Sequence, residues 1–145
     1  MRFRRLVPIA ALVTVLIGSL GMHEATALTR RQRVLQLVNR QRTSHGLRTV
    51  SLNRSLSSYA DVHTARMAES GRLYHTINLR ARVSPFSAKC WGENVGYAGT
   101  IRRVMTLFMR SYAHRENILN RCFRRVAIGT ARVRGYTWIT MILYG

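Results

Sequence analysis

A chain of 145 residues is one domain's worth, or one domain with a targeting segment, and at 16.6 kDa it can hide roughly 70% of its unfolded surface in a core. A hydrophobic fraction of 47% excludes a disordered chain, two cysteines exclude a disulfide-dense miniprotein and a four-cysteine zinc site, and two prolines with ten glycines exclude collagen-like or low-complexity architecture. Charge is the outlier: 24 Lys+Arg against 5 Asp+Glu give a formal +19, and Lys89 is the sole lysine.

Arg2, Arg4 and Arg5 precede an uncharged, mostly apolar run from Leu6 to Met22, and Ala25-Thr26-Ala27 follows. Basic, apolar, then Ala-x-Ala is the order of a secretory signal peptide, with cleavage expected after Ala27. The rival outcome is an uncleaved anchor, which the shortness of the run and Pro8 disfavour. Under either outcome the rest of the chain crosses the membrane. Residues 28–145 then read as a single domain. Losing 1–27 removes three arginines and Glu24, leaving 21 basic and 4 acidic residues and a charge of +17. Export brings Cys90 and Cys122 into an oxidising space. Pairing across their 32-residue separation would stabilise by roughly 3–4 kcal/mol; two buried free thiols are the alternative, and the compartment favours the disulfide.

Thr29-Arg30-Arg31-Gln32 has the form of a capping box, with Val34, Leu35, Leu37 and Val38 at helical spacing behind it and Gly46 as a stop. Val50 and Leu52 mark a short extended piece. Asn53 or Ser55 opens a second helix with Leu56, Tyr59, Ala60, His63 and Met67 as its stripe and Gly71 at its end. His63 on that stripe reads as a core histidine donating one hydrogen bond. His45 beside Gly46 suits a helix C-terminus. Residues 72–99 contain Pro85, Gly92, Gly96 and Gly99 and hold no sustained helical period. They read as a long ordered loop with a short strand near Asn94 to Tyr97.

Thr100 caps a third helix that turns Ile101, Val104, Phe108 and Tyr112 inward, and residues 113–122 read as irregular. Val126 to Val133 and Tyr136 to Leu143 make an antiparallel hairpin about Gly135, the second strand buried on both faces. Helices first and strands last, without βαβ alternation, give an α+β class.

Carboxylates are scarce beyond residue 27: Asp61, Glu69, Glu93 and Glu116. Asp61 and Glu69 read as solvated ion-pair partners on the second helix. Glu93 lies between glycines and large apolar groups, where a carboxylate needs a partner.

Three phrases belong together: Leu73-Tyr74-His75-Thr76; Trp91-Gly92-Glu93-Asn94-Val95-Gly96; and His114-Arg115-Glu116-Asn117-Ile118-Leu119, followed by Ile128-Gly129. In this order they resemble the CAP superfamily (cysteine-rich secretory proteins, antigen 5, pathogenesis-related proteins), and most of all its short bacterial members. The resemblance covers about Leu35 to Tyr144. It implies an α–β–α sandwich with a small antiparallel sheet between helices. It also implies a shallow cleft lined by two histidines and two acidic residues. His75, Glu93 and His114 match three of the four; Ser111 stands at the fourth, and Asn94 and Asn117 fall beside the cleft.

Two imidazoles and a carboxylate suit Zn²⁺ with an open position, or general acid–base work, or a hydrogen-bonded cluster pinning three loops together. The pinning role is favoured, metal binding comes second and catalysis last, and no cofactor is required. The basic surface, with Arg30, Arg31, Arg33, Arg40 and Arg42 on the first helix and Arg102, Arg103, Arg110, Arg121, Arg124 and Arg125 around and after the third, favours polyanions such as acidic lipid or phosphate-bearing cell-wall polymer. Export disfavours nucleic acid. Two classes of function follow: a non-enzymatic binding module of the envelope or secreted milieu, where the resemblance adds lipid binding, and a metal-assisted hydrolase using His75, Glu93 and His114. The first is preferred.

Overall fold

The structure, a computed structural model, describes residues 28–145; the expected signal segment, 1–27, lies outside them. Helix α1 spans Arg30–Ser44 and opens with the full capping box: Gln32 N donates to Thr29 Oγ1 at 3.2 Å, and Thr29 N to Gln32 Oε1 at 2.8 Å. A two-residue strand β1, Ser51–Leu52, leads into α2, Arg54–Ser70, capped by Asn53 and closed by Gly71 in the left-handed region at φ 67°. Short α3 (Leu79–Val83) and a 3₁₀ turn at Ser84–Phe86 precede β2, Trp91–Ala98. Helices α4 (Ile101–Arg110) and α5 (Tyr112–Leu119) are followed by the hairpin strands β3 (Arg125–Val133) and β4 (Tyr136–Tyr144).

The sheet order is β1-β3-β4-β2. β4 is central and antiparallel to both long neighbours, with Tyr136 opposite Val133 and Glu93 opposite Ile142. Side chains alternate along it. Ile139, Met141 and Leu143 pack with Val34 and Val38 of α1, Val104 and Phe108 of α4 and Ile118 of α5. On the other face Ile142 and Tyr144 meet Leu56 and Ala60 of α2, and Trp138 meets Met67. The result is an α+β sandwich with helices on both sides. Gly129 lets α2 lie directly on β3, because a methyl there would collide with the Ala60 carbonyl.

Four expectations are corrected. The sheet is mixed, since β1 runs parallel to β3 (Ser51 beside Arg125, Leu52 beside Val126). The stretch 72–99 is not a loop with a four-residue strand: it contains α3, the 3₁₀ turn and the eight-residue β2. Gly92 and Gly96 misled because they are not breakers here. A side chain at Gly92 would strike Asn117, and one at Gly96 would press on Phe108 of α4, so both are strand positions over which helices pack closely. Residues 113–122 are not irregular, because α5 occupies most of them; it buries only Ile118, so it carries no apolar period. Tyr112 does not face inward with α4. The chain turns extended at Ser111 (φ −84°, ψ 124°), and Tyr112, 72% exposed, starts the next helix.

Candidate functional site

Gly71 ends α2 and the chain returns over the β2 edge of the sheet. Buried His63, one turn before Met67, fastens that return. Its Nε2 donates to the Tyr74 carbonyl at 3.0 Å, and its ring lies between Tyr59 and Tyr74, with centroids at 6.3 and 5.1 Å. This is the core histidine expected from the α2 stripe. Holding Tyr74 places His75 and Thr76 above Glu93. The Glu93 carboxylate accepts three hydrogen bonds: from Thr76 N at 2.8 Å, Thr76 Oγ1 at 2.5 Å and His75 Nδ1 at 2.7 Å. The Glu93 side chain is 2% exposed and the His75 side chain 64%. One carboxylate thus clasps the 72–76 segment to β2, and its burial is compensated by charge-assisted bonds. Thr76 supplies two of the three, and sequence reasoning missed it. The only signal was its place directly after His75 in the phrase.

The opposite side of β2 carries a second knot. Asn117 of α5 donates from Nδ2 to Asn94 Oδ1 at 2.9 Å and to the Glu93 carbonyl at 3.3 Å. Asn94 Nδ2 in turn donates to the His114 carbonyl at 2.9 Å. The His114 ring leans on Phe108, with centroids 5.0 Å apart. Its pKa is lowered from the ordinary value, first by burial and then by the charge of His75.

His75 and His114 open onto different spaces. His75 stands with Tyr74, Ile77, Arg66 and Arg82 around a pocket of about 390 Å³ between α2 and α3. His114 and Ser111 edge an apolar groove of about 270 Å³ walled by Leu73, Tyr97, Leu107 and Phe108. Among the described residues no group of three or more His, Cys, Asp or Glu side chains is placed to hold a metal ion. With both Glu93 oxygens engaged by Thr76 and His75, that carboxylate is not free to ligate zinc beside His75 and His114.

Cys90 and Cys122 form a disulfide, with Cα atoms 6.4 Å apart. It joins the residue before β2 to the segment after α5, so both knots hang from chain tied by one covalent link. Backbone bonds between Cys90 and Gly145 (Gly145 N to the Cys90 carbonyl, 3.1 Å) tie the C-terminus to the same point.

One further residue differs from its expected place, and another does more than expected. Arg42 is not part of the basic surface: it is fully buried and donates to the carbonyls of Arg48 (2.8 Å), Ile118 (2.7 Å), Asn120 (3.0 Å) and Phe123 (3.1 Å). Burial, with Arg124 nearby, lowers its pKa from the ordinary value. Asp61 is the part-exposed ion-pair partner expected of it, but its role reaches further. It accepts from Arg31 Nη2 of α1 and from Thr130 N of β3, the latter at 3.2 Å, tying α1 to α2 and the sheet.

The profile of the Cysteine-rich secretory protein family, CAP, matches residues 35–143. This chain belongs to that family. Within it, the chain is 29% identical over 107 residues to YkwD, an uncharacterized protein of Bacillus subtilis (strain 168), a match covering 68% of this chain and 41% of YkwD. The chain therefore spans less than half the length of that curated relative. Among solved structures, an extracellular protein containing an SCP domain from Bacillus anthracis superposes with a TM-score of 0.67 at 20% identity, over 79% of this chain and 39% of that one. An outer surface protein of Borrelia burgdorferi gives 0.67 at 13% identity, over 77% of this chain and 89% of that one. At these identities the likeness shows the CAP fold alone. Among the described residues no helix is long and apolar enough to cross a membrane.

Proposed function

We propose that this CAP domain is a non-enzymatic binding module working outside the cytoplasmic membrane, in the envelope or the secreted milieu, and that it attaches to anionic envelope ligands: acidic lipid or phosphate-bearing polymer. One observation supports it, the pairing of charges. Among the described residues Glu93 pairs with His75 and Asp61 with Arg31. The clasp therefore keeps no free carboxylate for acid–base work, while apart from Arg31 the arginines have no ion-pair partner among the described residues. An unneutralised cationic surface gathers polyanions. The apolar groove beside His114 suits the hydrocarbon part of an amphiphile. The extracellular and outer-surface relatives support the location.

The hydrolase reading draws on one feature, the exposed His75 ring oriented by Glu93. Among the described residues no serine or cysteine nucleophile stands with it, since both cysteines are bonded to each other and the hydroxyl of the serine at the cleft, Ser111, donates to no base. The test is co-sedimentation of the oxidised protein with phosphatidylglycerol vesicles. Binding is expected at 0.01 M salt and should fall steeply by 0.15 M, as the Debye length shrinks from ~30 to ~8 Å. Absence of binding at low salt would contradict the reading.

A further inference from the structure

The arginines are not spread evenly. The start of α1, the start of α4 and the β3–β4 hairpin enclose an open pocket of about 340 Å³, a size within the range of ordinary ligand sites. Four guanidinium-bearing residues line it: Arg30 and Arg33 from α1, Arg102 from α4 and Arg132 from β3. No Asp or Glu is among the lining residues. In the neighbouring pocket along α1, Arg30, Arg31 and Arg54 share their space with Asp61. The contrast is local: one basic pocket holds a carboxylate of the protein and the other holds none.

The wall is ordered. Arg132 Nη1 donates to Thr137 Oγ1 at 3.2 Å and to the Gly99 carbonyl at 3.4 Å, which fixes its guanidinium at the pocket. Thr100 Oγ1 accepts from Arg103 N at 3.2 Å, leaving its hydroxyl hydrogen free to donate to a guest. Like charges held together repel, and the repulsion is relieved when an anion sits among them. Several forks around one centre suit a tetrahedral oxyanion, whose oxygens accept from different directions, better than one planar carboxylate.

We infer that this pocket is a phosphate-binding site, taking the phosphate group of a lipid headgroup or of a soluble phosphate ester or polymer. The assignment rests on the anionic-ligand reading above and names for it one place and one chemical group, away from His75, Glu93 and His114. The expected division of the basic surface changes with it: Arg30 and Arg33 of the first helix act with Arg102 of the helix after Thr100, so those two sets form one site.

The probe is inorganic pyrophosphate, titrated calorimetrically into the oxidised full chain at 0.05 M salt. The informative variant is R30E/R102E. It places glutamates in the first turns of α1 and α4, where negative charge favours a helix, so the fold is kept. The control is R72E/R115E, an equal charge change at two exposed arginines outside the pocket. The site predicts a loss of affinity of about tenfold or more in R30E/R102E and a change within about threefold in R72E/R115E. Equal losses in the two variants, or no pyrophosphate binding by the unaltered chain, would overturn it. A vesicle arm separates the sources. If pyrophosphate displaces the protein from phosphatidylglycerol vesicles, the site takes the headgroup; if vesicle binding persists at saturating pyrophosphate, the site takes soluble phosphate and the membrane is held elsewhere. Vesicle binding by all variants with no pyrophosphate binding would overturn the pocket and leave the proposed function standing.

Discussion

The clasp at Glu93 and the arginine pocket at the start of α4 handle charge in opposite ways. At the clasp a single carboxylate is buried and surrounded by three donors, so its chemistry is saturated by the protein. In the pocket four cationic side chains stand open to water with no carboxylate among them. A saturated charge holds structure; an unsaturated group of charges stays available to the phosphate proposed above. Arg42 makes the same point within one residue type. Buried, it is surrounded by four carbonyl acceptors and fastens α1 to the end of α5 and the start of β3; Arg33, on the same helix, lines the open pocket.

The largest effect should come from breaking a saturated charge. Arg42→Met keeps much of the side chain's apolar stem but leaves the carbonyls of Arg48 and Ile118 without their donor, and takes one of two donors from those of Asn120 and Phe123. With each unpaired buried group costing ~1–3 kcal/mol, the loss in urea denaturation should reach about 4 kcal/mol. Arg33→Met, on the same helix in the open pocket, should change stability by less than about 0.5 kcal/mol. Comparable losses at the two positions would erase the distinction between them.

Reduction of the disulfide should come next, at roughly 3–4 kcal/mol from loop entropy alone. Because the link sits before β2 and after α5, hydrogen exchange should rise at Trp91 to Asn94 and at α5 before it rises in α2. Loss of protection in α2 first would place the link's effect elsewhere.

A smaller effect concerns His114. Its folded-state pKa is lowered by burial and by the His75 charge, so folding disfavours its protonated form. Stability should therefore be unaffected above the ordinary imidazole value of about 6.5, should decline as pH falls below it, and should show the whole penalty once pH is under the lowered folded value. The difference between the unaltered chain and His114→Gln, measured by denaturation from about pH 7.5 to about pH 5, isolates this contribution. A slope that is the same in both would remove His114 as its source.

How much of this was legible in the sequence follows from what each element displays. Helices α1, α2 and α4 announce themselves through Thr29, Asn53 and Thr100 as caps and through apolar stripes, and the β3–β4 hairpin through Gly135 between β-branched runs. β2 hid because Glu93 and Asn94, polar residues buried for their hydrogen bonds, interrupt its pattern, and because its glycines serve close helix packing. α5 hid because one buried residue, Ile118, makes no period. His75, Glu93 and the two cysteines were legible as residue types in suggestive settings. Thr76 and Arg42 were not, since a buried arginine among carbonyls looks, in sequence, like any other arginine on a basic helix. The convergence of Arg30, Arg33, Arg102 and Arg132 depends on packing between elements about 70 and 100 residues apart, and no local pattern records it.

Glu93 is placed to hold the fold: its carboxylate is buried and taken up by Thr76 and His75. Glu93→Gln is the sharpest variant, because the amide keeps the size of the side chain but removes its charge and one of the two acceptor oxygens that Thr76 and His75 share. Stability and phosphatidylglycerol-vesicle binding should be measured on the same oxidised sample. A loss of about 1–3 kcal/mol in denaturation is expected, with vesicle binding unchanged at low salt. Full stability with vesicle binding abolished would contradict it.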